Sequence, residues 1–140
     1  DLDPSSLTLE LGTGCSEHPE PIVALADLGV GLALEDFGQG SSLDDVREMP
    51  LTAVKLVPTF ATLAAGNDDD VAFAESVLAL CRARGLSPVG KGVETREQAR
   101  RLAVLGCDIA LGYLYSKTLG SEGIGTLLAR GRVTAPAGAR

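Results

Sequence analysis

The sequence predicts an α/β fold built on a parallel sheet of about five strands. Short apolar runs alternate along the chain with segments whose apolar residues recur at helical spacing. Helices placed between strands favour right-handed βαβ units, in which neighbouring strands run parallel. Charged residues also follow several of the apolar runs, which is where parallel α/β folds build their sites.

Five apolar runs have the length of buried strands, and they cover residues 7–11, 31–35, 53–57, 87–90 and 109–111. Five strands are too few for a closed eight-stranded barrel and enough for a small open sheet. Neither a GxGxxG loop nor a Walker-type loop occurs in the sequence, so nucleotide-cofactor folds gain no support.

Four segments show helical periodicity, at residues 21–28, 69–84, 96–105 and 121–130. Three aspartates at 68–70 stand at the start of the second segment, where carboxylates interact favourably with the helix dipole. Thr95 and Gln98 have the spacing of a capping box at the start of the third. Residues 133–140 are rich in Ala, Gly and Pro and are predicted to form a disordered tail.

Composition restricts the classes of function. The chain has 19 acidic and 12 basic residues and a net charge of −7, which argues against a nucleic-acid partner. No run approaches the roughly 20 apolar residues of a membrane span, and no secretory signal is visible, so we expect a cytoplasmic protein without a membrane partner. Cys15, Cys81 and Cys107 are far apart and predict packed, reduced thiols.

Charged side chains lie at or just after the carboxyl ends of four consecutive predicted strands. In chain order they are Glu10, Glu35 with Asp36, Lys55, and Lys91 with Glu94. Because the carboxyl ends of parallel strands meet at one edge of a sheet, we expect these side chains to converge. A single such charge is usually a helix cap or a solvent contact, whereas four in succession indicate a site.

Five motifs follow one another along the chain. They are LTLEL at 7–11, EDFGQGSSL at 35–43, Pro50 followed by VKLV at 54–57 and by Phe60, KGVET at 91–95, and the segment from GCD to GYLY at 106–115. They resemble the motifs of the EAL-domain cyclic di-GMP phosphodiesterase family, which read E-x-T-E, D-D-F-G-x-G-Y-S-S-L, P-x-x-x-x-K-I-D-x-x-F, E-G-V-E-T and G-C-D-x-x-Q-G-Y-L-F. By this resemblance, residues 1–132 are the C-terminal part of an EAL-like domain.

The resemblance implies a partial (β/α)₈ TIM-like barrel, of which this chain supplies about five parallel βα units. It also implies the family's chemistry, in which two divalent cations, Mg²⁺ or Mn²⁺, activate the water that cleaves cyclic di-GMP. In the family those cations are held by carboxylates and an asparagine. The strands that carry the E-A-L segment and this asparagine precede the matched region.

By the same resemblance, Glu10 and Asp36 match metal ligands, and Lys55 matches the catalytic lysine. Glu35 replaces the first aspartate of the D-D pair, which moves the carboxylate outward by about one methylene group. Lys55 and Glu94 are therefore remnants of catalytic positions, while Glu10, Glu35 and Asp36 are remnants of metal positions. We expect Glu94 to cap the next helix or to hold a loop.

Four further positions depart from the family pattern. Val57 stands in place of an aspartate, Lys91 in place of a glutamate, Leu111 in place of a glutamine, and Thr13 in place of the second glutamate of E-x-T-E. The loop after Asp36 is also one residue shorter, since the aromatic residue before Ser41 is missing.

Charge counting then decides against a metal cofactor. The family pattern has five carboxylates and one lysine at the matched positions, for about −4, whereas three carboxylates and two lysines remain here, for about −1. An ammonium about 4 Å from one divalent ion is repelled by several kcal/mol at an effective dielectric constant of about 20. We expect Lys91 to reach toward Glu10 or Asp36 as a built-in cation. The alternatives are a surface Lys91 that points away and a structural ion pair between Lys55 and Asp36.

Three functions follow, and the first is favoured. The chain is a catalytically inactive EAL-like module, not an enzyme, which regulates cyclic di-GMP signalling as a homodimer or with a partner protein that covers its open barrel edges. The second is a sensor that binds cyclic di-GMP weakly without cleaving it. The third is an active phosphodiesterase, which would need a second chain to supply the missing residues.

Overall fold

The sheet consists of five parallel strands placed side by side in chain order. The computed structural model describes residues 2–12, 14–39 and 43–129, with only the backbone described at 43 and 44. The strands are β1 (Thr8–Leu11), β2 (Gly31–Phe37), β3 (Ala53–Leu56), β4 (Ser87–Gly90) and β5 (Ile109–Ala110), and each pairs in parallel with the next. The predicted α/β fold with five parallel strands is confirmed.

The order of the strands distinguishes this sheet from a doubly wound one. A doubly wound sheet reverses its strand order near the middle, whereas here the order is β1-β2-β3-β4-β5 without reversal. Right-handed crossovers that always advance in one direction place the helices on one side of the sheet, as they do in a (β/α)₈ barrel. The chain therefore has the architecture of part of such a barrel.

The described residues contain six α-helices: α1 (Pro19–Asp27), α2 (Leu43–Glu48), α3 (Thr59–Leu63), α4 (Asp68–Ala83), α5 (Arg96–Val104) and α6 (Ser121–Ala129). The capping box predicted for α5 is present, because the Thr95 hydroxyl accepts from the Gln98 N–H and the Gln98 amide accepts from the Thr95 N–H. An equivalent box of Asn67 and Asp70 begins α4. Helices α2 and α3 are too short to show a periodic pattern, and the sequence did not predict them.

The core lies between the sheet and the helices. Leu34, Val54 and Leu56 of the strands are fully buried, and they form one cluster with Leu78 of α4 and Leu102 of α5. A smaller cluster, Ile22, Leu32 and Met49, lies under α1. This packing holds the carboxyl ends of the strands in fixed positions relative to one another, which places the charged residues that follow them.

The cysteines behave as predicted. All three are free thiols, and Cys81 and Cys107 are buried. Burial raises the pKa of Cys107 to about 11, so this thiol is protonated and unreactive near neutral pH.

No helix in the described ranges has the length and apolar character needed to cross a membrane. The predicted tail at residues 133–140 lies outside the described residues.

Candidate functional site: an ion-pair cluster at the carboxyl end of the sheet

A β-bulge at the end of β2 brings two consecutive carboxylates to the same place. Leu34 pairs with Val54 and Phe37 with Leu56, so Glu35 and Asp36 together stand opposite the single residue Lys55. Successive side chains of a regular strand point to opposite faces, and a bulge re-aims one of them. Asp36 has a φ of +50°, in the left-handed region, which lets its carboxylate turn toward the same side as that of Glu35.

Five charged side chains meet at this rim, and we call them the ion-pair cluster: Glu10, Lys55, Glu35, Lys91 and Asp36. The Lys55 ammonium lies 2.7 Å from Glu10 Oε2 and 2.5 Å from Glu35 Oε1. The Lys91 ammonium lies 2.7 Å from Glu35 Oε2 and 2.7 Å from Asp36 Oδ1. Each ammonium therefore joins two carboxylates, and Glu35 contacts both lysines.

The position of Lys91 agrees with the hypothesis that it reaches toward Asp36. Its side chain is 23% exposed and donates to Glu35 and Asp36, so it does not point away as a surface lysine. Lys55 is in a structural ion pair, but the partners are Glu10 and Glu35, not Asp36. The bulge explains this difference, because it turns Asp36 toward the β4 side and leaves Glu35 beside Lys55.

Hydrogen bonds and burial within the cluster determine which of its groups are charged at neutral pH. Hydrogen bonds from Lys55 and Lys91 lower the pKa of Glu35 to about 2. Burial alone lowers the pKa of Lys55, but its hydrogen bonds to Glu10 and Glu35 outweigh burial and the pKa is raised. Hydrogen bonds to Asp36 and Glu35 raise the pKa of Lys91. At neutral pH, Glu35 is a carboxylate and both lysines are ammonium ions.

The other predicted positions lie around the cluster without joining it. Val57 is buried in the main core cluster and lines an apolar cavity of about 350 Å³ with Phe37. Leu111 is exposed at the end of β5, and its carbonyl accepts from the Val93 N–H at 3.0 Å. Glu94 is exposed and donates its backbone N–H to Gln98, while Thr95 makes the side-chain cap. Thr13 lies outside the described residues.

The two tyrosines after β5 have different surroundings. Tyr115 is partly buried and packs against the main core cluster, while Tyr113 is 65% exposed. Gly112 between Leu111 and Tyr113 passes so close to β4's following loop that an added Cβ would lie 2.0 Å from the Val93 carbonyl oxygen. This close approach explains why a glycine is needed at the turn.

The residues present do not fit two divalent cations. The three carboxylates of the cluster already contact an ammonium ion each, and Glu35 contacts two. Positions 57 and 91 contribute a hydrocarbon and a cation instead of two further carboxylates. Within the described ranges, no group of three or more His, Cys, Asp or Glu side chains is arranged to hold a metal ion.

Sequence reasoning located the members of the cluster but missed the bulge. The motif Glu35-Asp36-Phe37-Gly38 contained a signal for it, since two adjacent carboxylates cannot both face one site from a regular strand. Gly38, with a φ of +106°, allows the chain to leave the strand directly after the bulge.

Comparison with known families gives a consistent match. The model of the EAL domain family matches residues 1–118. Cyclic di-GMP phosphodiesterase RocR of Pseudomonas aeruginosa is 43% identical over 124 residues, which cover 84% of this chain and 32% of RocR. The bifunctional diguanylate cyclase/cyclic di-GMP phosphodiesterase MucR of the same species is 35% identical over 127 residues, 86% of this chain and 18% of MucR.

Solved structures show the same similarity. The crystal structure of the EAL domain of Mycobacterium smegmatis DcpA superposes with a TM-score of 0.84 at 33% identity, over 93% of this chain and 61% of that one. The cyclic di-GMP complex of the MucR phosphodiesterase gives 0.76 at 32% identity, over 88% and 52%. The chain thus spans about a third of RocR and less than two thirds of each of these solved chains.

Proposed function

The chain belongs to the EAL domain family, and from this premise we propose that it is a catalytically inactive member of that family which regulates cyclic di-GMP signalling through protein contacts. The observation that carries this proposal is the position of Lys91, whose ammonium contacts both Glu35 and Asp36. A tethered monovalent cation at this point leaves no free pair of carboxylates for a catalytic metal.

The protonation states of the cluster support the proposal. Phosphodiester hydrolysis needs an activated water and stabilisation of the leaving oxygen, which the family obtains from its metal ions. Lys55 cannot replace them as a general base, because its raised pKa keeps it protonated at neutral pH. Val57 offers a buried hydrocarbon where the family has a carboxylate, so it supplies no ligand.

A chimera tests whether the changed site residues abolish hydrolysis by themselves, because RocR supplies the barrel segments that this chain does not contain. The chain is placed into RocR in exchange for the matching 124-residue segment, and hydrolysis of cyclic di-GMP is followed by chromatography with Mn²⁺. We expect no turnover from this chimera and measurable turnover after Lys91→Glu with Val57→Asp. The matched control is Lys117→Glu, which makes the same charge change at an exposed lysine. Turnover by the unreverted chimera would contradict the proposal.

A second candidate is a sensor that binds cyclic di-GMP without cleaving it. The exposed Tyr113 beside the end of β5 favours it, since an aromatic ring can stack on a guanine base. The net charge of the cluster opposes it, because three carboxylates and two ammonium ions leave about −1 next to an anionic ligand. Calorimetry with cyclic di-GMP, with and without Mg²⁺, distinguishes the candidates, and we expect no heat of binding in either condition.

The protein contact in this proposal is made by the face that β5 and α6 form, and a second copy of this chain binds to that face. Six large apolar side chains are exposed there: Ile109, Leu111, Tyr113, Leu119, Ile124 and Leu128. Helix α6 buries none of its residues. Each of these side chains is between 39% and 72% exposed, so a contact between two copies would remove apolar surface from water on both.

A further inference from the structure

We propose that the apolar cavity bounded by the end of β2 and by helices α3 and α4 is a binding site for a small, neutral, aromatic molecule. The cavity has a volume of about 350 Å³, which lies in the range of small-molecule pockets. None of the described residues that line it belongs to the ion-pair cluster. The site therefore goes beyond the proposed function and does not depend on whether the chain hydrolyses cyclic di-GMP.

Aromatic side chains are concentrated at this cavity. The chain contains three phenylalanines, and all of them, Phe37, Phe60 and Phe73, line it. Aromatic rings pack favourably in offset-stacked or edge-to-face arrangements, and such pairs add to the free energy gained from burying apolar area. An aromatic ligand can therefore make contacts here that a saturated ligand of the same size cannot make.

The lining is buried on one side of the cavity and exposed on the other. Phe37, Val57 and Phe60 are between 3% and 8% exposed, whereas Phe73 is 58% exposed. A ligand can thus enter from solvent past Phe73 and reach a buried apolar surface. Its binding would also cover the ring of Phe73, which removes apolar surface from water.

The chemistry and the size of the cavity restrict the ligand. The described lining residues include no ionisable side chain, and Thr59 is the one among them with a hydroxyl group. A charged group placed there would lose its hydration without gaining an ionic partner, and the net charge of −7 further disfavours an anion. An apolar cavity of about 150 Å³ holds one benzene ring, so this volume suits a neutral molecule of about two fused rings.

The test is an NMR titration of the wild-type chain, labelled with carbon-13 in its phenylalanine rings, with 2-naphthol. Every labelled ring reports on the cavity, because the chain has no phenylalanine elsewhere. We expect all three rings to shift and the shifts to saturate, with a Kd of about 100 µM for a ligand of this size. The control is a sample labelled at the tyrosines, Tyr113 and Tyr115, which do not line the cavity and should not shift.

Two comparisons test the chemical class of the ligand and the role of the exposed ring. Naphthalene-2-sulfonate has the same rings with an anionic group, and we expect it to bind at least about tenfold more weakly than 2-naphthol. Phe73→Ala should weaken 2-naphthol binding by about tenfold. Tyr113→Ala, which truncates another exposed aromatic ring, should leave the affinity unchanged.

The proposal is overturned if the phenylalanine signals do not move at millimolar 2-naphthol, or if the tyrosine signals move as far as they do. Equal affinity of folded Phe73→Ala and Tyr113→Ala for 2-naphthol would overturn it as well, as would equal binding of the sulfonate. Circular dichroism reports whether both variants are folded. A Phe73 signal that shifts with protein concentration and no longer responds to 2-naphthol would show that a second copy of the chain covers the cavity instead.

Discussion

At the scale of single residues, Glu35 is the centre of the cluster. It accepts from both lysines, and these hydrogen bonds hold its pKa at about 2. Glu10 and Asp36 are more exposed, and each contacts one ammonium. Because Glu35 joins the two halves of the cluster, its charge links β1, β2, β3 and the loop after β4 through side chains as well as through the sheet.

This linkage predicts a defined pH dependence of stability. The folded-state pKa of Glu35 is depressed, so its contribution is present above the unfolded pKa of about 4.3 and is lost as pH falls toward about 2. We expect Glu35→Gln to lower the free energy of unfolding at pH 7 by about 1–3 kcal/mol and the difference from wild type to shrink between pH 4.5 and 2. Denaturant unfolding measures it, with Glu75→Gln on the exposed side of α4 as control. A difference that stays constant from pH 7 to pH 2 would contradict this role.

At the scale of elements, the bulge of β2 decides the geometry of the site. It places Glu35 and Asp36 together opposite Lys55 and sets Asp36 in the left-handed region of backbone conformation. This conformation is costly for a residue with a Cβ atom and is retained here while Asp36 accepts from Lys91. The bulge therefore positions Asp36 for the ion pair with Lys91, and the ion pair stabilises the left-handed backbone conformation in the bulge.

A pair of substitutions separates the backbone conformation from the ion pair. Asp36→Gly and Asp36→Ala both remove the contact with Lys91, but only glycine adopts a φ of +50° without a steric cost. We expect Asp36→Gly to be more stable than Asp36→Ala by about 1 kcal/mol in denaturant unfolding. Equal stability of the two variants would mean that the strand relaxes to a regular conformation when the carboxylate is absent.

The elements also show what the sequence can and cannot predict. The strands, the helix boundaries near Thr95 and the convergence of charges at one rim follow from local patterns and from the rule that parallel strands end together. The bulge depends on the register between β2 and β3, which no local pattern contains. The pairing of Lys55 with Glu10 and Glu35 depends on that register, so the sequence led to Asp36 as its partner instead.

At the scale of the whole molecule, the strand order leaves β1 and β5 at the two margins of the described sheet. At the β5 margin, Ile109 and Leu111 are exposed beside helix α6, none of whose residues is buried. Open strand edges and apolar patches of this kind promote association. The regulatory proposal uses this margin as the contact between two copies.

Light scattering coupled to size exclusion tests the contact. We expect the chain to be dimeric at high concentration, and we expect Leu111→Lys to shift it toward the monomer, since a charge on this face must be buried by the second copy. The control is Val23→Lys, which changes an exposed apolar residue on α1 near the opposite margin. A wild-type chain that stays monomeric, or equal effects of both substitutions, would refute this surface.

The proposal that the Lys91 ammonium takes the place of a metal ion is tested most directly by diffraction from crystals grown with Mn²⁺, with data collected at the manganese absorption edge. We expect no anomalous peak among Glu10, Glu35 and Asp36, with the Lys91 ammonium within hydrogen-bond distance of Glu35 and Asp36. A manganese ion coordinated by these three carboxylates, with Lys91 displaced from them, would contradict it.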